Sequence, residues 1–365
     1  MKRALIVLML CFFFAPVCRA QEEELWDALG VDDLSRAGME YGVEVELTPE
    51  LNLEQGASTL LEQMMAHMPS VLKVGVRSGL MLLVIVMLCS MAEGVRTVGG
   101  ESGGLNVCIL AGTLAVTAVS ASDMSAMMGL GRRTIDSMQG FSKVLLPVTA
   151  ACTAAMGAPA GAAARQVATS LFSNALLTLI DRLLVPVVYA YVAVCSACAA
   201  VGNPGLKKVA GLLKWVVTRS LTALLVLFVT YLTVSGTIAG TADAAALKVA
   251  KMAISTAIPV VGGIISNAAE TILVGAGMLK NTVGVFGMLA VLGICVVPFL
   301  KLGIHYLTYK MTGALSATLA DSRLAELIDN IGTAFALMLG MTGASALLLL
   351  VSIMSALGGG GNGWI

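Results

Sequence analysis

The sequence predicts an all-α, polytopic membrane protein, and three observations carry that reading: composition, the length of the apolar runs, and an export-type amino terminus. Hydrophobic residues make up 58% of the chain and charged residues only 12%, well below the roughly 25% charged that a soluble domain carries. Six runs are long and uncharged enough to read as crossing helices: Ser78 to Met91, Leu105 to Ala121, Leu183 to Val201, Leu221 to Ala239, Thr282 to Leu300 and Ile331 to Leu357. The first is short, and Lys73 and Arg77 before it can snorkel to the interface. Two further apolar regions are broken. Val144 to Ile180 contains Pro147, Gly157, Pro159, Gly161 and Arg165, and Ile258 to Leu279 contains Pro259, Gly262 and Gly263.

Lys2 and Arg3 precede an apolar run from Ala4 to Val17, and Cys18 and Ala20 supply the small residues that a signal peptidase reads. Residues 1–20 are therefore expected to be a signal peptide cleaved after Ala20, with an uncleaved anchor as the alternative. Either way Gln21 begins outside the cytosol. Residues 21–70 form an acidic extracytoplasmic segment in which twelve acids against the single base Arg36 leave a formal charge of −11. Scattered leucines give it helical character, but it is short for an independent core. Solvation beside a membrane is favoured over partner docking as the reason for its charge. Nucleic acid is excluded as a partner, because no basic stripe exists to neutralise phosphates.

Residues 71–357 form the polytopic membrane domain, threaded by the rule that short cytoplasmic loops collect Lys and Arg. Lys207, Lys208, Lys214 and Arg219 mark 202–220 as cytoplasmic, and Lys301, Lys310 and Arg323 mark the loop between the last two crossings. From an outside start the first helix enters at Arg96 and the second exits near Asp123. The count then closes if Val144 to Ile180 makes no net crossing, and the same parity applies to Ile258 to Leu279. Both are expected to be re-entrant or interfacial hairpins. Arg132, Arg133 and Lys143 fall outside in this scheme, against the charge rule; if Val144 to Ala164 is instead a full span, an earlier helix is a false crossing. An internal repeat, 105–216 and 217–328, supports the first scheme: Pro147 and Pro186 recur as Pro259 and Pro298 at one offset of 112. Repeats with broken helices are a plan of transporters and channels. Residues 358–365 are a Gly-rich tail.

No phosphate loop or nucleophile elbow is present, so an enzyme is not expected, nor a cofactor. His67 and His305 are isolated, and Cys195 and Cys198 only place two small residues on one face of an apolar helix, so no metal site is expected. Ala150 to Ala164 holds small-residue spacings that allow close helix packing or a pore wall. Boundary charges are the functional candidates. Asp181 and Arg182 mark a helix end, whereas Lys251, Glu270 and Lys280 are assigned to a polar path or subunit contact, with interfacial anchoring as the alternative.

The segments Lys248 to Lys251 (K-V-A-K), Ala257 to Gly262 (A-I-P-V-V-G), Glu270-Thr271 and Leu279 to Gly287 (L-K-N-T-V-G-V-F-G), then Pro298 and Tyr309-Lys310, resemble the stage III sporulation protein AE family. The resemblance covers about 218–355, and it adds Pro259, Gly262 and Asn281 to the candidate path or contact residues. It implies a protein of the mother-cell membrane surrounding the forespore during sporulation. The implied partners are the other stage III A membrane proteins, their cytosolic ATPase, and a forespore membrane protein. The implied role is that of a platform or export-gate subunit in a channel between the two cells, needed after engulfment. A self-sufficient secondary transporter, with Glu270 as coupling charge, and a pore-less membrane scaffold are the alternatives.

Overall fold

Glycines and prolines punctuate a chain that otherwise runs as helix. The computed structural model describes residues 30–43, 47, 51–98, 107–155, 160–239, 262–319 and 322–358. Every element among them is helical: α1 Val31–Glu40, α2 Leu53–Val98, α3 Val107–Ala155, α4 Ala160–Leu179, a π-helical turn Ile180–Leu184, α5 Val185–Val201, α6 Pro204–Ala239, α7 Gly262–Leu319 and α8 Ser322–Gly358. The expected signal peptide with its cleavage point after Ala20, the K-V-A-K motif, and the tail from 359 on lie outside the described residues.

Local chemistry sets the boundaries. Asp32 and Asp33 lie in the first turn of α1, where negative charge complements the helix dipole. The helix ends in a Schellman turn: Gly42 adopts φ 78, its N–H donates to Met39 O at 3.1 Å, and Val43 N–H donates to Gly38 O at 2.9 Å. Between α5 and α6 the sequence Gly202-Asn203-Pro204 makes a sharp reversal. Gly202 takes φ 71 and its N–H donates to Cys198 O at 2.8 Å. Asn203 Oδ1 accepts from Gly205 N–H at 2.8 Å, and Pro204 occupies the first helical position, where its missing N–H costs nothing.

Six helical stretches among the described residues are long and apolar enough to cross a membrane: Leu53–Gly94, Val107–Ala155, Val167–Val201, Pro204–Leu232, Asn281–Leu319 and Ser322–Met354. The protein is thus an all-helical, multi-pass membrane protein. Helices α7 and α8 pack most extensively on one another and form the centre, α2 and α3 lie against α7, and α6 pairs with α5 at the periphery. More than half of the apolar stretch of α7 and of α8 is buried, against about a sixth for α6. Helix α1 is not a free outer segment: Val31 and Leu34 are fully buried, and it packs on α3. The 70/71 boundary also falls inside α2, which runs unbroken from Leu53.

Several expectations about threading change. Helix α3 continues 32 residues beyond Asp123 to Ala155 with Pro147 inside it, so the Leu105 run and the Val144 run belong to one helix. The region Val144 to Ile180 is an antiparallel hairpin of the end of α3 and α4, joined by the hydrogen bond from Gln139 Nε2 to Thr178 Oγ1 at 2.8 Å. The second broken region is continuous helix from Gly262 on, because its paired glycines open α7 and do not interrupt it. The loop assigned to Lys301, Lys310 and Arg323 is mostly helix too: α7 ends at Leu319 and α8 begins at Ser322. The prolines matched by the repeat differ in setting, Pro186 being exposed in the first turn of α5 and Pro298 buried in the middle of α7.

The apolar runs also occupy two heights. Close approaches of Gly112 to Cys89 and Leu324 and the hydrogen bond from Ser90 Oγ to Leu319 O place the Ser78 and Leu105 runs beside the short turns. Thr282 to Leu300 lies far up α7, where Gly287 meets Leu145 and Ile353. Val283, Phe286, Leu289, Ala290 and Val291 of that run are at most 1% exposed. Its hydrophobicity serves packing against neighbouring helices over much of its surface.

Close approach of α2 to α7 rests on Gly75 and Gly79, four residues apart on one face. A Cβ on Gly75 would sit 2.8 Å from Ile304 Cγ2, and one on Gly79 would sit 2.7 Å from Thr308 Cγ2 and 2.8 Å from Thr312 Oγ1. This small-residue seam lies well away from the Ala150 to Ala164 stretch.

Candidate functional site

The core of the turn-side half holds a polar layer contributed by α3, α5, α7 and α8. Lys310 Nζ donates to both carboxylate oxygens of Asp329 at 2.8 Å and to Thr333 Oγ1 at 2.9 Å. Next to it on α7, Tyr309 OH donates to Asp123 Oδ2 at 2.9 Å. Across α5, Tyr191 OH donates to Asn330 Oδ1 at 3.1 Å. The aromatic rings lock this geometry. Tyr309 and His305 both meet Phe335 edge-on, with centroids 5.0 and 5.9 Å apart, and Tyr309, Tyr191 and Phe335 are at most 2% exposed.

Backbone contact is what lets a lysine on α7 reach an aspartate on α8 so closely. A Cβ on Gly313 would lie 3.2 Å from Asp329 N, and one on Gly332 would lie 3.4 Å from Lys310 N. The two glycines sit three residues after the lysine and the aspartate, so across the turn the glycine of K-x-x-G on α7 faces the aspartate of D-x-x-G on α8, and the glycine of the second faces the lysine of the first. The pair is nonetheless open on one side: 31% of the Lys310 and 46% of the Asp329 side-chain surface is uncovered. Leu307, Met311 and Leu315 flank it as exposed apolar residues of α7. A cavity of about 230 Å³ adjoins the layer between α3, α5 and α8, lined by Thr117, Ser120, Ser125, Tyr189, Ser196 and Ile331 among others. Where the layer nears the turns, Lys207 Nζ and Glu326 Oε1 pair at 2.7 Å on the surface.

The sequence-derived candidates are distributed differently. Lys251 and Pro259 lie outside the described residues. Gly262 is the first residue of α7, Glu270 and Lys280 follow along it, and Asn281 is exposed. All of them precede the α7 residues of the polar layer, Tyr309 and Lys310, by about 28 residues or more. Asp123, read as an exit marker, is a hydrogen-bond acceptor in the layer. Lys310, read as a loop charge, is half of an interhelical ion pair. Asp181 and Arg182 do not mark a helix end either, since the chain passes through them as a π-helical turn, and Asp181 Oδ1 pairs with Arg132 Nε at 3.1 Å.

Chemically, the layer is a set of paired charges and hydroxyls held inside a helical membrane protein. Intramembrane charges of this kind face a bundle interior, water or another polypeptide. Tyr309 and Lys310 also belong to the residues that carried the family resemblance, and comparison with known proteins extends that resemblance over most of the chain. The model of the family described as stage III sporulation protein AE matches residues 48–360. The stage III sporulation protein AE of Bacillus subtilis (strain 168) is 25% identical over 195 residues, 53% of this chain and 49% of that protein. The chain thus matches about half the length of this curated relative. No solved structure matches. Since the family match takes in α2 to α8, including every residue of the polar layer, the chain belongs to the stage III sporulation protein AE family.

Proposed function

We propose that this protein is a non-enzymatic platform or export-gate subunit of a multiprotein channel between mother cell and forespore. In this reading it sits in the mother-cell membrane around the forespore and is needed after engulfment. The observation that carries it is the half-open Lys310–Asp329 pair. An ion pair on a membrane helix is costly to leave against lipid, so its uncovered side calls for a partner chain or a water path.

The charge distribution supports a bilayer position that makes the pair intramembrane. Lys73 and Arg77 on α2, Arg132 and Arg133 on α3, Asp181 and Arg182 in the π-helical turn, Arg219 on α6 and Lys301 on α7 share one height. Gly75 meets Ile304, Gly131 meets Met338, and Gly343 meets Phe299 at that level, and Arg132 pairs with Asp181 there. From this charged ring to the short turns is about 20 residues of helix, about 30 Å, which matches the hydrocarbon thickness of a bilayer. Exposed apolar side chains fill the interval, including Leu80, Val84, Leu88, Leu110, Leu114 and Leu315. Lys310 then lies near mid-membrane. Lys207, Lys208 and Arg323 fall on the cytoplasmic side, and α1 with the upper half of the bundle stands outside. The stretch 202–220 is not a cytoplasmic loop in this placement, because α6 carries Lys214 into the interval and Arg219 to the ring.

The test is recovery of tagged protein from sporulating cells together with spore yield. Other stage III A proteins should co-purify, and Asp329→Ala should weaken that association while the protein stays in the membrane. The charge-swapped pair Lys310→Asp with Asp329→Lys should restore it. Purification without partners, and normal spore yield from both variants, would count against the channel-subunit reading. Glu270 and Lys280 are proposed as path or contact residues beside Lys251, Pro259, Gly262 and Asn281; alanine at either is expected to stall development after engulfment, and normal spore yield removes it from the site.

A further inference from the structure

The hairpin of α3 and α4 opens a polar groove that the reading above does not use. It has a volume of about 480 Å³ and is lined by Asp136, Lys143, Asn174 and Arg182, with Gln139, Thr178 and Asp181 behind them. The last three are already occupied: Gln139 donates to Thr178, and Asp181 is held by Arg132. The first four are available. Asp136, Lys143 and Arg182 are exposed side chains with no ion pair among the described residues. Asn174 Oδ1 is a buried acceptor without a donor, a state that costs about 1–3 kcal/mol when nothing fills it. The π-helical turn contributes by inserting one residue into the helix, and both Asp181 and Arg182 line the groove in consequence.

We infer that this groove binds the headgroup of an aminophospholipid, a primary ammonium joined to a phosphate diester, from the bilayer around the protein. The charges are complementary in kind. Lys143 and Arg182 supply cations for the phosphate, Asp136 supplies an anion for the ammonium, and Asn174 Oδ1 accepts one of the ammonium N–H groups. A phosphate alone leaves Asp136 and Asn174 unanswered. A quaternary ammonium has no N–H to give Asn174. Apolar contacts for the lipid tails stand at the ring end of the groove, where Leu179 of α4 and Leu183 of the π-helical turn are 39 and 52% exposed. The inference rests on the bilayer position proposed above, because the groove starts at the charged ring and so opens at headgroup depth.

The test uses native mass spectrometry of the full-length protein in detergent, titrated separately with phosphatidylethanolamine, phosphatidylglycerol and phosphatidylcholine. Phosphatidylethanolamine should bind about tenfold more tightly than either competitor, the value of one charge-assisted hydrogen bond near 1.4 kcal/mol. Asp136→Asn should abolish that preference, and Lys143→Gln should weaken binding of all three lipids alike, neither altering the thermal midpoint. Equal binding of the glycerol lipid reduces the groove to a phosphate site, and equal binding of the choline lipid removes the role of Asn174; either overturns the proposal. Displacement by soluble glycerophosphoethanolamine at the same concentration as the lipid would do so too, by showing recognition of the free headgroup. Labelling of Ala175→Cys by a membrane-impermeant maleimide in intact cells, against the unsubstituted protein as blank, reports separately on bilayer position. Labelled protein without lipid preference sinks only the lipid site, whereas protection of Ala175→Cys sinks the bilayer placement.

Discussion

Two seams between neighbouring helices each hold an acid–base pair, and they are built in opposite ways. Between α7 and α8, Gly313 and Gly332 bring the backbones into contact, and Lys310 and Asp329 close bidentately beside Thr333. Between α3 and the π-helical turn after α4, Arg132 and Asp181 meet through a single 3.1 Å contact beside an open groove, with 55% of the Arg132 side chain exposed. The first seam is fixed by shape and the second by charge. A close-packed seam resists added volume, whereas an open seam tolerates it and keeps room for a ligand.

The largest effect should therefore come from volume at the first seam. Gly332→Leu pushes a side chain against Tyr309 Cβ and the Lys310 backbone, at 3.2 and 3.4 Å already from its first carbon, and should cost about 3 kcal/mol. The thermal midpoint in detergent measures it, and an unchanged midpoint would show that α7 and α8 can part freely. Gly79→Leu, whose first carbon already falls 2.7 Å from Thr308 Cγ2 and 2.8 Å from Thr312 Oγ1, should cost about as much by the same measure. Asp329→Ala leaves Lys310 unpaired but half-open to its surroundings, so a loss of about 1–2 kcal/mol is expected, reversed by the charge swap. Arg132→Ala should cost about 1 kcal/mol, since Arg132 is 55% exposed but its partner Asp181, only 12% exposed, is left unpaired. If Arg132→Ala proved as damaging as Gly332→Leu, the contrast between the seams would collapse.

The helical class and the number of long apolar helices were legible in composition and run length, because apolar content reports burial whatever the burial is in. For the same reason the sequence could not tell lipid from protein. Thr282 to Leu300 reads as a crossing by its letters and belongs to a helix long and apolar enough to cross, yet much of its apolar surface is covered by α2, α3 and α8. The long continuation of α3 was hidden by Gly129, Gly131, Gly140 and Pro147, which look like breakers singly but lie within one helix. Lys310 and Asp329 were assigned to no pair because they are 19 residues apart. Their signal was present: in K-x-x-G and D-x-x-G each glycine stands at nearly the same distance from the turn as the other helix's charge, as expected of two antiparallel helices in backbone contact. Asp181 and Arg182 drew notice as boundary charges, but a π-helical turn has no sequence signature that would have placed them beside Asp136 and Lys143.

The paired motif bears on how the protein is made. An isolated α7 entering the bilayer would carry an unneutralised lysine, and an isolated α8 an unneutralised aspartate, each opposed by several kcal/mol. Because only 320 and 321 separate the two helices, each charge meets its counterpart within one short reversal of the nascent chain, and such local contacts form early. The last two helices are thus expected to leave the insertion machinery as a single hairpin, already neutral.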